Sequence, residues 1–166
     1  MEILYAGKHA PITFRLIGRY EFFYHHFVKG RLSQNFFKRH KMKSEKFLVS
    51  QRMVSFVIDR ADGGLKLLVA PKTVLTQMQR LMEDVPILYT INDMDWTIEK
   101  SGVRLQTRYT VSRHDVISLT SQERTLAELN LTNVKIEQVL LRKIEIEIKK
   151  VSVGMKTNRS DILDID

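Results

Sequence analysis

The chain contains no cysteine, which excludes disulfide scaffolds, thiol catalysis and thiolate metal sites. No apolar run reaches the roughly 20 residues that a membrane-spanning helix needs. Charged residues and a proline interrupt positions 1–18, which argues against a secretory signal. We therefore expect a soluble, cytoplasmic protein.

Proline and glycine are also scarce, with three and seven residues respectively. The chain has no proline-rich linker, internal repeat or low-complexity segment, so we expect one domain. Its 166 residues suit a domain that buries roughly two thirds of its unfolded surface. We place that domain at 1–153 and interpret 154–166 as a flexible C-terminal tail.

Signature motifs are missing as well. The only adjacent glycines, Gly63 and Gly64, lack the Lys-Ser/Thr that follows a phosphate-binding loop, and there is no Gly-x-Ser-x-Gly elbow. The aromatic RNA-recognition signature, the Gly-x-x-Gly clamp and zinc-finger spacing are absent too. No motif therefore identifies an enzyme class or a nucleic-acid-binding family.

Positive charge is abundant and uneven. The chain carries 27 Lys and Arg against 19 Asp and Glu, a formal net charge of +8. Residues 14–47, the basic segment, hold nine of these cations and two acids, a net of +7. The same segment contains nine of the fourteen aromatic residues and three of the five histidines. Cations interleaved with aromatic rings suit nucleic acid, because cations neutralise phosphates and bases stack on rings.

Hydrophobic periodicity predicts strands and helices in clusters. Alternating apolar residues predict strands at 2–6, 12–17, 54–58, 65–69, 87–91, 96–100 and 103–112. Helical spacing or capping residues predict helices at 19–29, 33–41, 71–84 and 121–131. Segment 134–143 fits strand or helix, whereas the β-branched residues at 144–148 favour a strand. These elements predict an α+β fold, with antiparallel β-hairpins or a sheet packed with about four helices.

The helix predicted at 19–29 carries an apolar stripe that we expect in the core, comprising Tyr20, Phe23, Tyr24, Phe27 and Val28. Phe22 lies off that stripe, where a ring is available to stack on a base. The second helix, capped by Ser33, presents Phe36, Phe37 and a run of cations.

We predict that this surface binds single-stranded nucleic acid, RNA in preference to DNA. Phosphate contacts are expected from Arg31, Lys38, Arg39, Lys41 and Lys43, and stacking from Phe22, Phe36 or Phe37. The full candidate interface is Arg19, Phe22, Lys29, Arg31, Phe36, Phe37, Lys38, Arg39, Lys41, Lys43, Lys46, Arg104 and Arg108. Duplex DNA is a variant of this hypothesis, with the 33–41 helix in a major groove.

Two other functions remain open. In the first, a structural or assembly protein uses Phe22, Phe36 and Phe37 as anchors for other proteins or for a second copy of itself. In the second, a small metal-independent ribonuclease uses His25, His26 or His114 as acid and base.

We expect no enzyme activity and no cofactor or metal. Glu21 and His25 are spaced to share an ion on a helix, but a third ligand at suitable spacing is missing.

Overall fold

The computed structural model describes residues 1–28, 35–43, 45, 47–103, 106–133 and 135–140. Within them the strands are β1 (Ile3–Tyr5), β2 (Ile12–Val28), β3 (Asn35–Lys38), β4 (Phe47–Asp59), β5 (Leu65–Pro71), β6 (Met94–Ser101) and β7 (Arg108–Val116). The helices are α1 (Ala6–His9), α2 (Lys72–Leu81) and α3 (Ser121–Asn133), and residues 136–140 are helical.

The seven strands form one curled, mixed sheet in the order β1-β5-β4-β2-β6-β7, with β3 paired to β2 off this path. β1 and β5 are parallel, and the other pairs are antiparallel. The predicted α+β fold with about four packed helices is therefore wrong, because the protein is mostly β with short helices. The error lies in the basic segment, where two expected helices are strands.

The helix predicted at 19–29 belongs to the 17-residue strand β2. Aromatic residues favour strands, and here they lie on both faces of a sheet that is covered on both sides. Residues that matched one helical stripe are thus divided between the two faces. Phe23 is fully buried on one face, whereas Tyr20 and Phe22 pack half-buried on the other. The helix predicted at 33–41 is likewise wrong, since Asn35–Lys38 is strand β3.

A bulge divides β2 into two halves. The register with β4 shifts between Ile17 and Tyr20, so that Gly18 and Arg19 are extra residues. Gly18 has a φ of 74°, a left-handed conformation that costs glycine little. Because two residues are inserted, the alternation of side chains between the faces continues unchanged beyond the bulge.

Helices cover both faces of the sheet. On the first face, α1 and α2 complete a core that includes Phe14, Met53, Leu68, Met78 and Trp96. On the second face, α3 and residues 136–140 complete a core that includes Ile17, Phe56, Leu67, Ala127 and Ile136. The described residues thus form three layers, with the sheet in the middle.

Several local predictions are confirmed. β4 and β5 form the expected antiparallel hairpin, and α2 lies within the predicted 71–84 helix. The capping box at the start of α3 is also present. The Glu123 amide donates to Thr120 Oγ1 at 3.2 Å, and the Thr120 amide donates to Glu123 Oε2 at 2.8 Å.

Other predictions need correction. Segment 87–91 is not a strand but a turn-rich connection, in which Ile87 and Leu88 are 98% and 84% exposed. The strand expected from residue 103 begins at Arg108, and Val103 is 73% exposed. The predictions for 144–148 and for the tail 154–166 lie outside the described residues. No helix in the described ranges is long and apolar enough to cross a membrane.

Candidate nucleic-acid interface

Most described aromatic residues of the basic segment meet at one end of the sheet. There the C-terminal half of β2 pairs with β3 on one edge and with the start of β4 on the other. We call residues 24–28, 35–38 and 47–51 the aromatic arm. β5 joins β4 only from Arg52 onward, and β6 joins β2 only at Ile12–Arg15. The arm is therefore a three-stranded extension of the main sheet.

The connection from β3 to β4 crosses one face of this arm. Both strands pair with β2, but on opposite edges, so the chain between them must pass over β2. The Met42 amide donates to His26 Nε2 at 3.0 Å, which identifies the side on which it crosses. We call residues 39–43 of this connection the basic crossover. Its sequence, RHKMK, contains no acid.

His26 attaches the crossover to the arm. The side chain is fully buried, stacks on Phe36 at a centroid distance of 4.9 Å and meets the edge of Phe47 at 6.2 Å. Because Nε2 accepts from Met42, the ring proton belongs on Nδ1, which lies 3.1 Å from the Tyr24 carbonyl oxygen. Both ring nitrogens are thus engaged, so His26 is a structural residue in this conformation.

The remaining histidines of the ribonuclease hypothesis do not converge on His26. His25 lies on the opposite face of β2 and stacks on Phe37 at 4.6 Å. His114 lies on β7, where its Nε2 is 2.7 Å from Thr97 Oγ1. The structure therefore does not assemble an acid–base pair from these three residues.

Burial, the charge of Arg52 and the proximity of His26 together lower the pKa of His25 from 6.5 to about 4, with burial the largest cause. Between pH 6.5 and pH 4, His25 is therefore protonated in the unfolded chain but mostly neutral in the folded protein. As pH falls from 6.5 to 4, we expect His25 to reduce the free energy of unfolding by about 2 kcal/mol, after allowance for solvent screening. Urea denaturation at several pH values measures this loss.

The variant His25→Phe retains the ring stack and should lose less stability across that pH interval. His40→Gln, at an exposed histidine of the crossover, should keep the wild-type pH dependence. Parallel pH profiles for wild type and His25→Phe would contradict the assignment.

Three lysines of the arm and crossover are exposed and make no ion pair with a described residue: Lys38, Lys41 and Lys43. The Lys38 ammonium lies 5.8 Å from the centroid of the Phe36 ring, on the face that the crossover spans. Both the charge and a half-buried aromatic ring are therefore available at the same place.

Arg39, unlike the three lysines, makes ion pairs with described residues. Its Nη2 lies 2.8 Å from Glu21 Oε2, its Nε lies 3.4 Å from Glu137 Oε2, and its guanidinium covers Phe23 at 5.1 Å. These contacts tie the crossover to the helical residues 136–140. Arg39 therefore has local partners that a phosphate would have to displace.

The predicted stacking residues lie on different surfaces. Phe36 and Phe37 are half-buried on opposite faces of β3, each stacked on a histidine. Phe22 packs against the first core, with the Lys72 ammonium 5.9 Å from its ring centroid. The expectation that Phe22 lies apart from the core depended on the helix that does not form.

The other predicted interface residues are scattered. Arg19 is exposed at the bulge of β2. Arg108 is exposed at the opposite end of the sheet, since it pairs with Ser101 on β6. Arg15, the last residue paired with β6, lies opposite Ile58 of β4, and Tyr24, the first paired with β3, lies opposite Gln51, so roughly 23 Å of strand separates the two pairings. Arg108 is thus not brought together with the arm, and Lys29, Arg31, Lys46 and Arg104 lie outside the described residues.

The predicted helical spacing of Glu21 and His25 is also lost. On a strand, residues four apart are separated by roughly 13 Å, too far for both side chains to hold one ion. Across the described ranges, no three His, Asp or Glu side chains are grouped to hold a metal.

A buried ion-pair network joins residues whose sequence positions gave no signal for it. Asp95 accepts from Arg15 Nε at 2.7 Å and from Arg60 Nε at 2.8 Å, and Arg60 continues to Glu123. Burial alone raises the pKa of Asp95, but the hydrogen bonds and charges of Arg60 and Arg15 outweigh it and hold that pKa below its usual range. Arg15, counted above among the cations of the basic segment, is only 1% exposed.

Comparison with known proteins gives no match to a protein-family model, a curated protein or a solved structure. The candidate interface is therefore defined by its own geometry. It consists of the aromatic arm, the crossover attached through His26, and three exposed lysines, of which Lys38 lies beside Phe36.

Proposed function

We propose that this protein binds single-stranded nucleic acid, preferably RNA and in the cytoplasm, on the face of the aromatic arm spanned by the basic crossover. One observation carries the proposal. Lys38, Lys41 and Lys43 are exposed and make no ion pair with a described residue; Lys38 lies beside the Phe36 ring, and the other two flank Met42, whose amide is bonded to His26. Such cations are available to displace the counterions of a phosphate backbone.

A single strand suits this surface better than a duplex. Unpaired bases can stack on rings while the lysines follow the backbone, and this requires no sequence-specific motif. The duplex variant needed a basic helix at 33–41 to enter a major groove. That segment contains strand β3, so the structure offers no support for the duplex variant.

A salt titration tests the proposal. Three phosphate contacts on a single strand give a slope of log affinity against log salt of about −2. We therefore expect affinity for a 20-nucleotide RNA to fall about 20-fold between 50 and 200 mM salt, measured by fluorescence anisotropy. Single-stranded DNA and duplex DNA of the same sequence serve as comparisons. Failure to bind either RNA or single-stranded DNA at about 50 mM salt would remove the proposal.

A second candidate function is the binding of other proteins or of a second copy of the chain. The observation that favours it is the exposure of Ile87 and Leu88 in the connection between α2 and β6. Light scattering over a concentration series, with and without nuclease, separates the two functions. Assemblies that survive nuclease and show no excess absorbance at 260 nm would favour protein binding.

A further inference from the structure

A cavity of about 340 Å³ lies on the second face of the sheet, beside the bulge of β2. Its wall includes Arg15, Gly18, Asn92, Ser118, Arg124 and Ala127. The Met42–His26 bond and the Lys38–Phe36 contact lie on the first face, so this cavity is on the opposite face from the proposed RNA surface. The Arg39 side chain, which covers Phe23, reaches the second face but does not line the cavity. A volume in this range is sufficient for a small ligand.

Arg15 is the unusual member of the wall. Its Nε donates to Asp95, and its Nη1 donates to the Ile117 carbonyl oxygen at 2.6 Å. Its Nη2 is buried and has no hydrogen-bond partner among the described residues. A buried donor without an acceptor costs about 1–3 kcal/mol, and more when it is charged. Arg15 Nη2 can therefore donate a hydrogen bond to a ligand bound in the cavity.

The described charges around Arg15 balance, since Arg15 and Arg60 are matched by Asp95 and Glu123, and Arg124 and Asp93 both line the cavity. What distinguishes the guanidiniums is the hydrogen-bonding capacity that they have left. Asp95 is its ion-pair partner, but Asp95 accepts two further hydrogen bonds from Arg60. The wall holds a second guanidinium, that of Arg124, which is exposed and makes no ion pair with a described residue. The wall also holds the carboxylate of Asp93, but its Oδ2 already accepts from the Thr90 amide and hydroxyl.

We propose that this cavity binds the phosphate group of a small molecule, either inorganic phosphate or a phosphate monoester. Guanidinium groups match phosphate oxygens in geometry and charge. Arg15 supplies a buried donor and Arg124 a donor that is exposed to solvent. Gly18 of the bulge and Ala127 of α3 line the same cavity as the two arginines.

Isothermal titration calorimetry with inorganic phosphate, adenosine 5′-monophosphate, adenosine and acetate tests this site. We expect the two phosphate compounds to bind with millimolar affinity or better, and adenosine and acetate to bind at least about 10-fold more weakly. Adenosine binding as tightly as its monophosphate, or acetate binding as tightly as phosphate, would overturn the proposal. Absence of phosphate and monophosphate binding at about 10 mM would also overturn it.

Arg124→Gln is the informative variant, because this exposed side chain makes no ion pair with a described residue and its loss should leave the fold intact. We expect phosphate affinity to fall at least about 10-fold. Arg80→Gln, at an exposed arginine of α2 on the other face, is the matched control and should bind as the wild type does. Ala127→Val narrows the cavity and should also weaken binding. Unchanged affinity in Arg124→Gln would contradict the site.

Discussion

Replacing Asp95 with asparagine is expected to lower the free energy of unfolding by about 3–5 kcal/mol. The carboxylate is shared by two guanidiniums, those of Arg15 and Arg60, and Arg15 is buried. Asparagine keeps the shape but removes the negative charge, which leaves a buried cation without compensation. Urea denaturation at pH 7 measures the effect.

The matched control is Asp115→Asn, at an exposed position of β7, which should change stability by less than about 0.5 kcal/mol. Adding Arg15→Leu to Asp95→Asn should recover part of the loss, because the uncompensated charge is removed with its partner. Strictly additive losses in the double variant would show that Arg15 and Asp95 do not depend on each other. Because the pKa of Asp95 is lowered, its stabilisation should persist above the ordinary Asp pKa and be lost as pH falls through the lowered value.

Reversing the three exposed lysines, with Lys38→Glu, Lys41→Glu and Lys43→Glu together, is expected to reduce RNA affinity at least about 100-fold at 100 mM salt. Each substitution removes one phosphate contact and adds a repulsive charge. The slope of log affinity against log salt should also flatten, because fewer counterions are released on binding. Fluorescence anisotropy over a salt series measures both effects.

A control with the same change in charge uses cations away from the arm, Lys8→Glu, Arg80→Glu and Arg108→Glu. All three are exposed, and Arg108 lies at the opposite end of the sheet. If net charge alone governs binding, this control will lose as much RNA affinity as the variant with Lys38→Glu, Lys41→Glu and Lys43→Glu. Equal losses would therefore contradict a localised interface.

Local chemistry explains which parts of the fold could be predicted from sequence. The glycine-containing turn between β4 and β5, the apolar stripe of α2 and the reciprocal bonds of the α3 capping box each depend on residues close together in the chain. A short window of sequence contains all the information that these elements need.

β2 could not be predicted in the same way, because the helices that cover its two faces include α2 and α3, which lie far along the chain. An aromatic-rich strand that is buried on both faces has no period-2 alternation, and its spacing imitated a helix. Charge counting does not depend on secondary structure, so the candidate lysines could be proposed without a correct fold; the structure shows that they are exposed, and their role in binding stays a prediction. Arg15 and Asp95 are 80 residues apart, and no local pattern links them.

The two-residue length of the bulge has a consequence for the evolution of the arm. A deletion or insertion of one residue at Gly18–Arg19 would move each side chain of residues 20–28 to the opposite face of the sheet. Residues 12–17 would keep their faces. His26 would then lie on the side away from the crossover, and its bond to Met42 would be lost. We therefore expect a change in chain length at this point to preserve the faces of residues 20–28 only when two residues are added or removed together.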